Sequence, residues 1–412
     1  MLRNTPQSLL PIASALPALV TFLLLTGCSG QGSPGTEGTA KPQAPPSDPV
    51  RERLTSLTLD QKLGQLLIAG IDGDRITGDM ESLIKNDDAG GIIFYKDNLK
   101  SPAQALQLFN ALKEANKGSS VPLWLSLDEE GGRVSRMPGE LVKMPSARTI
   151  GLTDNRDASY GVGRALGGEL SAFGLNLNFA PVLDVNSNPN NPVIGDRSFG
   201  ADAAVVGRNG TAELQGLQSQ GVIPVVKHFP GHGDTSVDSH IGLPVLQHDL
   251  TRLRSLELKP FAEAIRGGAD AVMVAHILLP KLDPENPASF SKPVITDLLR
   301  KELGFGGVVM TDDLTMGAVV KKYELGEAAV RSLEAGGDVL LVGHGYDLER
   351  QALQAVKEAV RSGRLTERRI DESVYRILQL KAKYKLTDEP KGQVEIARVN
   401  EALKQAVQGL KS

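Results

Sequence analysis

Eight short apolar runs punctuate the chain: Gln65 to Ile71, Gly91 to Tyr95, Pro122 to Leu127, Leu177 to Leu183, Val222 to Val226, Ala271 to Ala275, Gly307 to Met310 and Val339 to Val342. Each starts near a glycine or proline turn and ends in polar sequence. The stretches between them carry apolar positions three and four apart, as in Ala105, Leu106, Phe109 and Leu112, or Leu253, Leu256, Leu258, Phe261 and Ile265. That spacing predicts amphipathic helices. Buried strand alternating with helix implies parallel strands joined by right-handed crossovers, and eight such units favour closure over an open sheet. The expected fold is α/β, a single (β/α)8 TIM-type barrel over residues 50–390. After Tyr384 the sequence turns polar, and Val394 to Leu410 reads as a short helix within a C-terminal helical tail, residues 391–412.

The N-terminal end has a different character. Its first 28 residues hold one charge, Arg3, then an uncharged apolar run from Leu9 to Leu25, then Leu25-Thr26-Gly27-Cys28. This is the pattern of a secretion signal over residues 1–27, and it resembles a bacterial lipoprotein signal, in which the cysteine after the cleavage site receives lipid. Cys28 is the only cysteine, so no internal disulfide is open to the chain and lipid attachment is its expected role. Two acyl chains on a thioether suffice for stable attachment to a membrane. Residues 28–49, rich in Gly, Pro and Ser, read as a tether. An extracytoplasmic, lipid-anchored location follows. Loss of Arg3 with the signal leaves 44 basic against 49 acidic residues, a net charge of −5. Mild acidity gives no support for nucleic-acid binding.

The polar strand ends carry the candidate chemistry. Asp128, Asp184, Lys227 with His228, His276, Asp312 and His344 each follow one of the apolar runs. In a barrel of this kind the carboxyl ends of the strands converge on one face, where catalytic groups gather. Three of the six histidines lie between Lys227 and His240, in the stretch Lys-His-Phe-Pro-Gly-His-Gly-Asp-Thr-Ser-Val-Asp-Ser-His. Asp312 leaves its strand with no basic neighbour in sequence, and such a carboxylate can serve as a nucleophile. It needs a proton donor across the scissile bond. Asp238 and His240, at alternate positions of an extended loop, fall on one side, and a histidine oriented by a carboxylate is a competent acid and then base.

These stretches, with Asp128-Glu129-Glu130-Gly131-Gly132-Arg133-Val134-Ser135-Arg136, Gly195-Asp196-Arg197-Ser198-Phe199 and Thr311-Asp312-Asp313-Leu314, resemble the β-N-acetylglucosaminidases of glycoside hydrolase family 3 over about residues 50 to 385. The resemblance implies that Asp312 forms the glycosyl-enzyme, that His240 with Asp238 protonates the departing oxygen and then activates water, and that anomeric configuration is retained. It also assigns contacts with sugar hydroxyls and the N-acetyl group to Asp128, Arg136, Arg197, Lys227 and His228. Glu129, Glu130 and Arg133 are expected to hold their loop, Asp313 to face away and cap the following helix, and His276 to serve either the substrate or a polar layer of the barrel. Many family members carry a second α/β sandwich domain. Here the site is expected to come from barrel loops alone, in a monomer acting on a small carbohydrate such as a muropeptide or a disaccharide containing N-acetylglucosamine.

Other readings compete. His228 and His232 have the spacing of a zinc-binding helix, but Pro230, Gly231 and Gly233 break such a helix, so no metal is expected. Gly163, Gly167 and Gly168 fall within a helix and read as packing positions, and no cofactor is expected. A histidine in place of a catalytic carboxylate also permits phosphorolysis, since it would not repel phosphate. A lipid-anchored sugar-binding protein without turnover is the third possibility. Ten Phe, six Tyr and one Trp are poor material for a long stacking platform, which favours an enzyme acting on terminal units.

Overall fold

The computed structural model describes residues 48–411. The expected signal, Cys28 and most of the tether lie outside the described residues. The tether reading ends two residues late, because Asp48 caps the helix Pro49–Ser56: its Oδ1 accepts from Val50 N and Arg51 N, each at 3.1 Å. An acidic residue before a proline is a strong helix start.

Among the described residues ten strands follow in chain order: β1 (Leu67–Gly70), β2 (Gly91–Phe94), β3 (Trp124–Leu127), β4 (Leu177–Asn178), β5 (Ile223–Phe229), β6 (Ala271–Val274), β7 (Leu278–Leu279), β8 (Asp283–Pro287), β9 (Val308–Thr311) and β10 (Leu340–Val342). Eight form one parallel sheet in the order β10-β1-β2-β3-β4-β5-β6-β9. Met310 bridges Val339, and Thr311 N donates to Val339 O at 3.0 Å, which brings β9 back to β10 and completes the expected barrel. Every residue of these eight strands is buried, which is why the runs read as continuously apolar.

Three local differences bear on the site. Strand β4 stops at Asn178, whose side chain turns back to Glu129 N and Glu129 O at 2.9 Å each. Strand β5 runs on to Phe229, so Lys227 and His228 lie within it and not beyond it. Between β6 and β9 the chain adds an antiparallel hairpin, β7 with β8, whose Asp-Pro-Glu-Asn-Pro sequence has no strand-like alternation.

Outside the barrel, the helices Arg156–Phe173 and Ala203–Ser219 approach closely. A Cβ on Gly163 would lie 2.1 Å from Glu213 O, and one on Gly167 would lie 2.9 Å from Gln220 Cβ. Gly168, read as a third packing position, has only the Gln220 side chain nearby, at 3.8 Å. The helix Ile396–Gly409 packs against Arg156–Phe173, and Asn400 pins it to the loop beneath through Val142 N at 2.7 Å and Glu140 O at 2.9 Å. No helix among the described residues is long and apolar enough to cross a membrane.

Candidate active site

The strand ends open into a cavity of about 360 Å³ lined by Asp128, Arg136, Arg197, Lys227, His228, His240 and Asp312, with Tyr95, His232 and His344 among its other polar groups. Seven of the eight residues assigned to catalysis or sugar binding therefore share one space. The eighth, Asp238, stands behind His240.

An ionic chain forms one wall. Lys227, almost wholly buried, contacts the Asp128 carboxylate and lies 2.7 Å from Glu130. Glu130 in turn receives Arg197 in a paired fork, Nε at 2.8 Å and Nη2 at 2.7 Å. Burial alone would raise the Glu130 carboxyl, but Arg197 and Lys227 overcome it and hold the group well below the usual carboxylate range. Burial likewise opposes charge on Arg197, and Glu130 more than restores it. Taking such charges out of water is costly unless each is paired, and here each is. Glu130 thus does more than hold its loop: it joins two residues assigned to the sugar. The neighbouring residues keep to their expected roles. Glu129 accepts from Arg136 N at 2.7 Å and Met137 N at 3.1 Å, and Arg133 meets Asp196 at 3.0 Å. Arg136 is different, since its Nε is buried without a hydrogen-bond partner among the described residues. A guanidinium in that state can still donate to an incoming ligand.

Asp184, fully buried, sets the orientation of His228. Its Oδ2 meets His228 Nδ1 at 2.7 Å, and its Oδ1 accepts from His232 N at 2.7 Å. Arg197 Nη2 lies 3.4 Å from His228 Nε2, and a guanidinium only donates, so Nδ1 carries the proton. His232 braces the turn: Thr235 Oγ1 occupies its Nδ1 at 2.7 Å, Ser239 Oγ approaches its Nε2 at 3.3 Å, and Asn191 Nδ2 donates to its carbonyl at 2.8 Å. Burial, aided by His228, pushes the His232 imidazole down to about 4, so it is neutral.

Asp312 directly follows β9. Its N–H donates to Val274 O at 3.0 Å, and its Oδ1 accepts from Asp313 N at 2.9 Å. Burial would raise its carboxyl, but the imidazoles of His276 and His228, the Asp313 N–H and the Lys227 ammonium together hold it below the usual range. It is ionised. His276 belongs to the barrel's polar layer: it is fully buried, with Nδ1 against Ser289 Oγ at 2.7 Å and Nε2 against Asp313 O at 3.0 Å. Asp313 does not cap the next helix. Its Oδ1 accepts from Thr315 N and Gly343 N, both at 2.9 Å, and from Thr315 Oγ1 at 2.8 Å, so it stitches the loop after β9 to the loop after β10. The helix Gly317–Val320 begins too far along, with Met316 in the capping position.

Asp238 and His240 meet through Oδ1 and Nδ1 at 2.9 Å, while His240 N donates to the same oxygen at 2.9 Å. The loop is a tight turn and not extended, since Asp238 O accepts from Ile241 N at 2.9 Å and Gly242 N at 3.0 Å. Burial would raise the Asp238 carboxyl, but the His240 N–H and ring bring it below its usual value. The His240 side chain remains 68% exposed, leaving Nε2 open to the cavity mouth. This loop rests on the segment that follows Asp312. Ser239 O accepts from Ala318 N at 2.9 Å, Lys321 Nζ donates to Ile241 O at 2.7 Å, and a Cβ on Gly317 would lie 2.4 Å from His240 O. Gly317 was not marked by any sequence signal. Asp184 and His344 were marked only by their positions after strands.

The model for the glycosyl hydrolase family 3 N terminal domain matches residues 58–380. Beta-hexosaminidase A of Pseudoalteromonas piscicida is 35% identical over 387 residues, covering 84% of this chain and 64% of that protein. Beta-hexosaminidase LpqI of Mycobacterium tuberculosis is 36% identical over 377 residues, covering 87% of this chain and 94% of its own. Among solved structures, a glycoside hydrolase family 3 beta-N-acetylglucosaminidase from Paenibacillus sp. str. FPU-7 superposes with a TM-score of 0.81 at 44% identity, over 86% of this chain and 69% of that one. The match runs through every strand of the barrel and every residue of the cavity wall, and the chain belongs to glycosyl hydrolase family 3.

Proposed function

We propose that the chain is a retaining exo-β-N-acetylglucosaminidase that removes N-acetylglucosamine from the non-reducing end of peptidoglycan fragments or short β-linked oligosaccharides. β-N-acetylhexosaminidase activity agrees with the relatives above. The observation that carries the mechanism is that Asp312 and His240 line the same cavity. Asp312 attacks the anomeric carbon while His240 Nε2 protonates the leaving oxygen, giving a covalent glycosyl-enzyme and a free aglycone. Water, deprotonated by the same imidazole, then displaces Asp312, and two inversions retain the configuration. Asp238 holds the ring through Nδ1 and stabilises its cationic form. Asp128, Arg136, Arg197, Lys227 and His228 bind the sugar, since carboxylates and guanidinium groups bridge neighbouring hydroxyls in paired hydrogen bonds. A cavity of about 360 Å³ suits one terminal unit more than a threaded polymer.

A fluorosugar that stalls deglycosylation tests this: mass spectrometry of digested protein is expected to find the label on Asp312. Label on another residue, or an α-anomer as the first product by NMR, overturns the mechanism. Phosphorolysis is a second reading, favoured by Arg136, Arg197 and Lys227 around a histidine acid. Sugar 1-phosphate as the product in phosphate buffer would establish it, and free sugar refutes it. A chromogenic aryl glycoside separates both from a binding protein without turnover. We further propose that lipid on Cys28 tethers the enzyme, as a monomer, outside the cytoplasmic membrane. Acyl labelling in cells that disappears with Cys28→Ala tests the tether.

A further inference from the structure

The Gly-His-Gly turn before the dyad is packed tight. A Cβ on Gly233 would lie 1.9 Å from Val185 O, and one on Gly231 would lie 2.9 Å from Glu257 Cβ. Thr235 is fixed as well, through His232 and through Asn188 Nδ2, which donates to its carbonyl at 3.2 Å. Beyond this packed turn, Ser236 to Leu243 carries Asp238 and His240 and rests on the segment after Asp312 through Ser239 O and Ile241 O. Its roots lie on either side, and they touch each other. Asp234, from the outgoing stem, places Oδ2 2.9 Å from His248 Nε2 on the returning stem. His248 Nε2 has no directed hydrogen-bond partner among the described residues.

Two further groups close the cluster. Glu257, buried at the start of the barrel helix Leu258–Arg266, lies 3.9 Å from His248 Nε2. Arg252 spans both carboxylates, 2.9 Å from Glu257 and 3.6 Å from Asp234. Asp234, His248, Arg252 and Glu257 have no place in the mechanism above, and none of them lines the cavity. We propose that they form a clasp that fixes the two stems of the dyad loop to the barrel, with Asp234 and His248 acting as positioning residues for His240. The clasp sits where a small opening of the stems becomes a large displacement at the tip. It sets how often Nε2 of His240 stands over the glycosidic oxygen.

This rests on His240 as the acid, and the experiment separates the two. Kinetics of His248→Ala and Asp234→Ala are measured on a β-linked disaccharide, which needs protonation, and on a dinitrophenyl glycoside, which does not. The expected result is a loss of about tenfold or more in kcat/KM on the disaccharide and under about twofold on the aryl glycoside, because only proton delivery is disturbed. The thermal midpoint should stay within about 2 °C of the parent. His248→Gln, which keeps a nitrogen donor near the same place, should recover most of the disaccharide rate. Equal losses on both substrates, or an unchanged disaccharide rate, overturn the clasp. If His240→Ala itself shows no dependence on the leaving group, the acid assignment falls instead. Tight Zn²⁺ binding by the parent that vanishes in His248→Ala would also overturn the direct contact, placing an ion between the three ligand groups.

Discussion

Two lysines are buried at opposite ends of the barrel, and their surroundings differ in kind. Lys227, toward the carboxyl ends of the strands, is held by the carboxylates of Asp128 and Glu130. Lys381, under the amino ends, donates to Gln65 Oε1, Gly90 O and Pro122 O, each at 2.8 Å, and lies 4.5 Å from the Trp124 ring. Three acceptors match the three protons of an ammonium, so that end is finished. Asp338, also at the amino end, is complete in the same way: Arg300, Arg376, Ser373 and Val309 N all bond to it. At the other end the bonding is left open. Among the described residues, Arg136 lacks a partner for Nε, His240 Nε2 has none, and Asp312 receives a single backbone N–H. Polar groups that satisfy each other stabilise; those left partly unsatisfied are available to a substrate.

The contrast can be broken by substitution. The largest effect is expected from Asp312→Asn: a fall in kcat/KM of about 10⁴-fold or more with an unchanged thermal midpoint. A variant with near-normal kcat would remove Asp312 from the reaction. His240→Ala should slow disaccharide cleavage by about 10²-fold or more while sparing a dinitrophenyl glycoside. Equal losses would count against it as the acid. The two lysines then give the direct comparison. Lys227→Met should cost activity, about 10²-fold in kcat/KM, because Asp128 loses the cation that orients it. Lys381→Met should leave kcat alone and cost stability, about 3 kcal/mol, by stranding three acceptors, read as a midpoint lower by about 5 °C. The opposite pattern would erase the distinction between the two ends.

The smallest effect is one of pH. Burial pulls the Lys381 amine down to about 7 from an unfolded value near 10.5. The unfolded chain then binds the proton more tightly between those values, so this group makes stability rise as pH increases from about 7 to 10. The parent's midpoint should gain on that of Lys381→Met across this interval. A difference that stays flat would mean that the amine keeps its proton throughout.

Much of this is legible in the sequence. Strands buried on both faces write themselves as continuous apolar runs, which gave the barrel, and a polar residue after each run pointed to the shared mouth. What was not legible depended on contacts between distant segments. Glu130 lies in an acidic stretch that looks like ordinary loop chemistry until Arg197 and Lys227 arrive from other strands. Asp313 reads as a cap because nothing in sequence shows that Gly343 N stands beside it. The hairpin of β7 and β8 was hidden because Asp283 to Pro287 has the composition of a turn. Asp234 and His248 are fourteen positions apart, and no local pattern links them.

The seat of the dyad loop on Gly317 has an evolutionary corollary. The distance between His240 and Asp312, the proposed proton donor and nucleophile, is gauged by backbone lying on backbone, where even a methyl group on residue 317 would meet the carbonyl of His240. The two halves of the proposed catalytic pair therefore share a ruler set outside the staves beneath them. Drift in the barrel's diameter or tilt would carry both together and leave their separation intact.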